Sequence, residues 1–372
     1  MESKKKIKVI PLGGLGEVGK NITVIEYGEE IIVVDCGMTF PDSEMYGIDV
    51  VIPDVTYLVN NKERVKGFFI THGHEDHIGA IPYILNQINA PIYATNLTIG
   101  LIQSKLEEHK MLDIVELNVV KPGDTIALDK LKIEFIRTNH SIADSCALAI
   151  HTPLGIVVHT GDIKVDFTPV DGNVIDLQRL AKIGKQGVLL LMADSTNACH
   201  PGYTMSEKTV GETLDNLFSK GTGRIIVATF ASNIHRLQQI INSSIKYGRK
   251  IAFSGRSMEK ISEVAIKLGY LDMPEDLLID LKDLKLYNSN QITIVTTGSQ
   301  GEPMSALTRM ASSTHKNIQI EKDDMIIISA NPIPGNEKAV SWSFLYARQY
   351  WPDQSGGPGI CLYTWPGEIC LL

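Results

Sequence analysis

The segment THGHEDHIGA, at residues 71–80, places three histidines and two acidic residues within six consecutive positions. Imidazoles and carboxylates at this density repel one another when charged, and they cost free energy when they are buried without partners. They are stable either in a solvated surface loop or around a cation. Because the whole chain has ten histidines in 372 residues, three of them in one short segment favour the cation.

The flanking sequence places this cluster at the end of a buried strand. VKGFFI predicts the strand and IGAIPYILNQI (78–88) predicts a helix, so the cluster lies in the loop between them, a usual position for a site in α/β folds. His72 and His74 are two positions apart and project to the same side of extended backbone. Asp76 and His77 come at the turn into the helix and can face a neighbouring position. This arrangement favours two adjacent metal ions over one.

Two further candidate ligands follow other predicted strands. His140 follows IEFIRTN, and Asp162 ends GIVVHTGD. A carboxylate can bridge two cations, whereas a neutral imidazole cannot, so Asp162 is the candidate bridging ligand. Mixed imidazole and carboxylate ligands suit zinc, with manganese as the alternative. We therefore expect two divalent metal ions.

The elements that position these residues differ between the two halves of the chain. The first half predicts strands joined by short turns, including a hairpin at 21–35. From about residue 204, strands alternate with helices, which predicts a parallel sheet with helices on its faces. The boundary between two domains is therefore expected near 195–205.

GLGEVGKN, at 14–21, satisfies the dinucleotide-binding pattern G-x-G-x-x-G and differs from a phosphate-binding P-loop only at Asn21. Both patterns need a helix to begin at once, so that its amides point at a phosphate. Here NITVIEY follows, and its alternating β-branched residues predict a strand. We expect a glycine-rich turn, although a close backbone approach to a ligand stays open.

Composition narrows the class of protein. Apolar residues make up 44% and charged residues 21% of the chain, and no apolar run approaches the roughly 18 residues that span a bilayer, so no membrane partner is expected. Five cysteines without a C-x-x-C pair favour free thiols in a reducing cytoplasm. The net charge of −8 gives no general attraction for nucleic acid, so binding to RNA would depend on local basic groups and metal ions.

Together these motifs resemble a known family. The H-x-H-x-D-H pattern with Asp35, His140 and Asp162 is similar to the motif set of the metallo-β-lactamase superfamily. PLGGLGEVGKN, DCGMTFPD, TGDIK and ADSTNA resemble the ribonuclease J family of its β-CASP nuclease branch, over residues 7–340. The resemblance implies an α/β fold with an incomplete metallo-β-lactamase αββα sandwich at 1–200. It also implies an inserted parallel α/β β-CASP domain, likewise incomplete, at 201–340.

The resemblance also implies roles for individual residues. The implied ligands of one metal are His72, His74 and His140, those of the other are Asp76 and His77, and Asp162 bridges the two. Asp35 and Asp194 would orient ligand histidines. The implied catalytic residues are Asp76, His77, Asp162 and Asp194.

The implied activity is hydrolysis of RNA, both internally and in the 5′→3′ direction, on RNA that preferably carries a 5′-monophosphate. Side chains at helix starts in the second half could bind its phosphates, although each also fits a simple helix cap. These candidates are Ser232, Asn233, His235, Arg256 and Ser257. The alternatives left open are a hydrolase of small esters, a nucleotide-binding module that uses GLGEVGKN, and a non-catalytic RNA-binding partner.

Residues 341–372 change in character: they contain all three tryptophans and no lysine. We interpret this tail as aberrant, as translation in a shifted frame would produce. The family's late metal-ligand histidine and C-terminal dimerisation domain would then be absent, since no histidine follows His315. We therefore expect one tightly held metal, a weakened second site and impaired activity.

Overall fold

The computed structural model describes residues 6–41, 45–196, 198–199, 201–300, 302, 305–330, 360–364 and 368–371. The chain forms two compact units, residues 1–203 and residues 204–372. None of the helices in these described ranges combines the length and the apolar character that a bilayer crossing requires.

In its described residues, the first unit contains two sheets and five α-helices. Its strands are β1 (Ile7–Gly13), β2 (Ile22–Tyr27), β3 (Glu30–Val34), β4 (Val65–Phe69), β5 (Ile92–Thr95), β6 (Leu117–Val120), β7 (Thr125–Ala127), β8 (Lys132–Arg137), β9 (Cys146–Thr152), β10 (Gly155–His159) and β11 (Val188–Met192). Its helices are α1 (Thr56–Asn60), α2 (Glu75–Ile78), α3 (Ile81–Ile84), α4 (Asn96–Glu108) and α5 (Leu177–Gln186).

The first sheet has the order β1-β2-β3-β4-β5-β6. Strands β1 to β3 pair antiparallel, and β3 to β6 pair parallel. The hairpin predicted at 21–35 is confirmed, because β2 and β3 are consecutive antiparallel neighbours. The strand predicted after the glycine-rich segment is likewise confirmed as β2.

The second sheet has the order β11-β10-β9-β8-β7 and is antiparallel except for the parallel β10–β11 pair. Its inner face packs on the first sheet, and the shared core includes Phe69 and Val34 from one sheet and Phe135 and Leu148 from the other. Helix α4 packs against β5 and β6, and Ile183 of α5 packs on the opposite face of the second sheet. The predicted αββα sandwich is confirmed.

The helix predicted at 78–88 is wrong in its extent. The structure has two short helices instead, α2 and α3, separated by Gly79 and Ala80. Pro82 lies in the first turn of α3, where its missing amide leaves no hydrogen bond unmade, so the sequence restarts a helix there. The Ala80 amide meanwhile donates to the Cys36 carbonyl at 3.0 Å, which ties the junction to the end of β3.

The second unit is built on a mainly parallel sheet, as predicted. Its elements are α6 (Lys208–Lys220), β12 (Ile225–Ala228), α7 (Ile234–Lys246), β13 (Lys250–Ser254), α8 (Arg256–Lys267), β14 (Ile292–Thr296), α9 (Ala306–Ala311), β15 (Met325–Ser329), β16 (Ile360–Thr364) and β17 (Glu368–Leu371). The strand order is β13-β14-β12-β15-β16-β17, with only the last pair antiparallel. Most of the tail predicted to be aberrant, 341–372, lies outside the described residues; β16 and β17 are the described part.

Glu26, in β2, links this strand to β1 and α1 through its side-chain contacts. Only 5% of this residue is exposed, and Lys8 Nζ and Arg64 Nη2 lie 2.8 and 2.9 Å from its Oε1. The Tyr57 hydroxyl donates to its other oxygen. Burial alone would raise the pKa of Glu26, but the hydrogen bonds from Lys8, Tyr57 and Arg64 lower it to about 2.

This network predicts a pH dependence of stability. Because the folded-state pKa of Glu26 lies below its ordinary value of 4.5, the ionised group stabilises the fold above about pH 4.5, and that contribution is lost as the pH falls toward 2. Between pH 5 and pH 3, the unfolding free energy of the unsubstituted chain should fall by up to about 2 kcal/mol more than that of Glu26→Gln. Urea denaturation with a chelator present measures this difference. Glu29→Gln, whose side chain is 92% exposed, is the control and should follow the unsubstituted chain. An equal fall in Glu26→Gln would contradict the assignment.

Candidate metal centre

The predicted ligands lie at one edge of the sandwich, because each follows the carboxyl end of a strand. The 72–77 segment follows β4 and runs into α2, His140 follows β8, and Asp162 follows β10. Strands β8 and β10 point the same way, since both pair antiparallel with β9. Residues distant in sequence are therefore brought to one place by strand direction.

The first group consists of His72, His74, His140 and Asp162. His74 Nδ1 lies 3.1 Å from His72 Nε2 and 3.1 Å from His140 Nε2. Asp162 Oδ2 lies 3.4 Å from His140 Nε2 and 3.9 Å from His72 Nε2. Three ring nitrogens and one carboxylate oxygen thus face a common point.

The second group consists of Asp76, His77 and again Asp162. His77 Nε2 lies 3.3 Å from Asp162 Oδ1 and 3.5 Å from Asp76 Oδ2. Asp162 therefore turns one oxygen toward each group. This is the geometry that a bridging carboxylate requires.

The spacing of these atoms fits a metal centre. A tetrahedral ion with ligand bonds of about 2.0–2.1 Å has ligand atoms about 3.3 Å apart. The six distances given above, from 3.1 to 3.9 Å, scatter around that value, and the ligand atoms of each group all lie within 4.8 Å of one another. The donor set also fits, because imidazole nitrogen and carboxylate oxygen are ligands that zinc and manganese accept.

Electrostatics keep the first group in the form that binds a metal. Burial lowers the pKa values of His72, His74 and His140, that of His140 to about 3. These rings are therefore neutral near pH 7, as metal ligation requires.

His77 has the opposite environment. Burial opposes its charge, but the carboxylates of Asp76, Asp35 and Asp162 raise its pKa well above the ordinary value. Three carboxylates around one ring give a local field that favours a cation at this position. A divalent ion held by Asp76 and His77 would satisfy that field in place of the ring proton.

Comparisons with known proteins identify the family to which this fold is similar. A family model described as the metallo-beta-lactamase superfamily matches residues 15–228, more than half of the chain. A second model, described as the beta-CASP domain of ribonuclease J, matches residues 222–344. The chain belongs to the metallo-β-lactamase superfamily, and its second half is similar to the beta-CASP domain of ribonuclease J. The family resemblance that the motifs predicted is confirmed.

Individual relatives are similar over most of this chain. Ribonuclease J of Synechocystis sp. is 50% identical over 336 residues, which are 90% of this chain and 52% of the relative. Ribonuclease J of Helicobacter pylori (strain 26695) is 49% identical over 342 residues, 92% of this chain and 50% of the relative. Ribonuclease J2 of Bacillus subtilis is 44% identical over 336 residues, and this chain covers 60% of its length. The chain thus spans about half the length of the first two relatives.

A solved structure shares the fold. The crystal structure of a protein of unknown function from Enterococcus faecalis V583 superposes with a TM-score of 0.66 at 15% identity, covering 93% of this chain and 85% of that one. At this identity the likeness concerns the fold alone.

Asp35 holds the segment with the candidate ligands in place by hydrogen bonds. It directly follows β3, is 1% exposed, and accepts hydrogen bonds from His77 Nδ1 at 2.8 Å and from the Thr71 amide at 2.7 Å. Its φ of +61° is unusual for a residue other than glycine, and such conformations persist only where neighbouring contacts hold them. The contact with His77 is the one expected of an acid that orients a ligand histidine.

Asp194 differs from the expectation. Its carboxylate accepts from the Thr196 hydroxyl at 2.6 Å, the Thr196 amide at 2.8 Å and the Ile163 amide at 3.4 Å. Within the described part of the chain, no hydrogen bond joins it to a ligand histidine. It lies after β11, and its link to the centre passes through the residue that follows Asp162.

Asn21 contacts the centre but was not among the predicted site residues. Its side-chain amide donates to the Asp76 carbonyl at 3.0 Å and to Asp76 Oδ2 at 3.2 Å. Its backbone amide also donates to the Asp76 carbonyl, and its carbonyl accepts from Gly37. Lys20 pairs instead with Glu17 at 3.0 Å. The glycine-rich turn therefore supports α2 through the contacts between Asn21 and Asp76. The only sequence signal for this role is an amide residue directly before a strand.

The candidate phosphate-binding residues lie in the second unit. Asn233 caps α7, since its side chain accepts from the Arg236 amide at 3.0 Å, which is the simple helix cap that the sequence also allowed. His235 is buried and Ser232 half-buried, whereas Arg256 and Ser257 are exposed at the start of α8. The five follow the carboxyl ends of β12 and β13, at one edge of the second unit's sheet.

Gly37 allows the backbones of two site segments to meet. A Cβ built at this position would overlap the Asp76 carbonyl, which is backbone and cannot move without displacing α2. Gly37→Ala should therefore reduce metal binding by Asp76 and His77 and lower stability by about 1–3 kcal/mol. Zinc titration and urea denaturation measure the two effects.

Gly184→Ala is the matched control for this substitution. Gly184 lies within α5 with open space around its Cβ position, so alanine there should leave metal binding unchanged and stabilise by up to about 1 kcal/mol. Full zinc binding by Gly37→Ala would show that α2 tolerates displacement.

Proposed function

We propose that this protein is a metal-dependent ribonuclease that hydrolyses phosphodiester bonds in RNA, both internally and from the 5′ end. The observation that carries the proposal is the position of Asp162, whose two oxygens face two separate ligand groups. Relatives named ribonuclease J support RNA as the substrate.

The proposed occupancy is two divalent ions, zinc first and manganese as the alternative. His72, His74, His140 and Asp162 would hold one, and Asp76, His77 and Asp162 the other. Bound there, two such ions would lower the pKa of a water molecule and neutralise charge that develops on a phosphodiester.

The burial pattern supports access by a polymer. His72 and His77 are fully buried, at 0% and 2% exposure, whereas the other four ligands are partly exposed. The centre is therefore anchored on one side and open on the other. Asp194 would act as a positioning residue, because it holds the Ile163 amide next to Asp162.

We further propose that the edge of the second unit's sheet binds RNA phosphates, with Arg256 and Ser257 as the exposed contacts and Ser232 beside them. Arg256 offers the planar cationic group that suits a phosphate, and both residues begin α8, where backbone amides are free. Recognition of a 5′-monophosphate would use the same chemistry. His235 and Asn233 would support this edge from within, because both are buried.

Two broader proposals accompany this function. The domain division would be a metallo-β-lactamase part at 1–200 and a β-CASP part at 201–340, with the two compact units and the two family models in support. The proposed location is the cytoplasm, which free thiols at Cys36, Cys146 and Cys199 support.

The two metal sites should differ in affinity. Among the residues that the structure describes, the first group offers four ligands and the second three, so one zinc should bind tightly and the other weakly. His74→Ala should remove the tight zinc, whereas Asp76→Asn should leave it in place. Zinc content after dialysis, measured by elemental analysis, tests this, with circular dichroism to verify folding. Retention of the tight zinc by His74→Ala would contradict the ligand set.

Cleavage of RNA should depend on the bridging carboxylate. Asp162→Asn should lower turnover of a 5′-monophosphorylated RNA by a factor on the order of 10³, because both ligand groups lose a charged oxygen. Asp129→Asn, an exposed aspartate in the turn between β7 and β8, is the matched control and should retain full turnover. Undiminished cleavage by folded Asp162→Asn would place the activity elsewhere.

A further inference from the structure

Thr71 lies between Asp35 and a ligand histidine, and it is fully buried. Its backbone is fixed on both sides: its amide donates to Asp35 Oδ1 at 2.7 Å, and its carbonyl accepts from the Cys146 amide at 2.9 Å. Gly161, directly before Asp162, packs so closely over the Thr71 side chain that a Cβ there would lie 2.8 Å from the Thr71 Cβ. The hydroxyl is thus held in one place and must form its hydrogen bonds within the protein.

The hydroxyl has one proton and two close neighbours. Asp35 Oδ2 lies 2.9 Å away, and a carboxylate only accepts hydrogen bonds, so the Thr71 proton points to Asp35. The other neighbour, His72 Nδ1 at 3.0 Å, must therefore donate to Thr71 Oγ1. This places the His72 ring proton on Nδ1 and leaves the lone pair of Nε2 directed at His74 and Asp162.

The same Asp35 oxygen also accepts from His77 Nδ1, at 2.8 Å. Thr71 Oγ1 lies 3.5 Å from His77 Nδ1, so Asp35 is the closer acceptor for that ring and also the charged one. One carboxylate oxygen thus reaches His77 directly and His72 through Thr71. The two rings belong to different ligand groups.

We propose that Thr71 is a positioning residue that extends the Asp35 contact to His72, so that one buried carboxylate holds a histidine of each metal site in the metal-binding tautomer. The inference rests on the proposed metal sites. It predicts an asymmetry, because loss of the Thr71 hydroxyl removes the partner of His72 while the direct Asp35–His77 contact stays. A purely structural role in the core would affect both sites alike.

Zinc affinity, measured separately at each site, tests the proposal. Asp76→Asn provides a background in which only the His72 group is complete, and His74→Ala provides one in which only the Asp76–His77 group is complete. Thr71→Val, which keeps the shape and removes the hydroxyl, should weaken zinc about 10–100-fold in the first background and less than about 3-fold in the second. Thr71→Ser should restore the affinity. Competition with a chromophoric chelator gives the dissociation constants.

A second measurement reads the ring proton itself. In protein labelled with ¹⁵N-histidine, the His72 ring should show the Nδ1–H tautomer in the unsubstituted chain and in Thr71→Ser, and it should lose that preference in Thr71→Val. Equal zinc affinity with and without the hydroxyl would overturn the proposal, as would an equal loss in both backgrounds or no recovery in Thr71→Ser. If the unsubstituted chain bound no zinc at all, the proposed function would fail with it, which differs from zinc binding that ignores Thr71.

Discussion

A carboxylate removed from water must be compensated by donors or charge from the protein around it. Asp35 is 1% exposed, and its donors are the Thr71 amide, the Thr71 hydroxyl and the His77 ring. All three come from the segment after β4 that carries the metal-ligand candidates. The hydrogen bonds that compensate the buried Asp35 carboxylate therefore hold this segment at the end of β3. The positions of His72 and His77 therefore depend on the hydrogen bonds that the buried Asp35 carboxylate requires, although Asp35 is not among the candidate ligands.

The same constraint explains why the centre has a closed side and an open side. The residues that satisfy Asp35 are necessarily buried with it, whereas the ligands supplied by other loops, such as His140 and Asp162, stay partly exposed. Asn21 and Gly37 add backbone contacts that hold α2 on the closed side. The buried part of the site is thus built at the end of the first sheet. The second sheet contributes His140 and Asp162, which lie on the partly exposed side.

The sequence predicted most of this site because strand patterns and ligand spacing are local properties. The H-x-H-x-D-H segment, His140 and Asp162 each directly follow a sequence pattern that predicts a strand. Asn21 and Thr71 could not be assigned roles, because their roles come from contacts with Asp76 and Asp35, 55 and 36 residues away in sequence. The predicted helix at 78–88 differs from the observed α2 and α3 because Pro82 permits a new helix to start within that range. The sequence does not distinguish a helix cap from a phosphate contact at Asn233, because both use the same residue types at the same position.

The net charge at the metal centre determines whether the proposed substrate, RNA, is attracted or repelled. The carboxylates of Asp35, Asp76 and Asp162 surround His77, in a chain whose net charge is −8, so the metal-free centre opposes a polyanion. Under the proposed occupancy, two divalent ions bring four positive charges against three carboxylates and reverse the local sign. Neutral His72, His74 and His140 add ligands to the first ion without adding charge to this balance. Under the proposed function, metal binding and attraction of a phosphodiester would therefore be coupled, because the carboxylates that hold the ions would repel RNA in the absence of those ions.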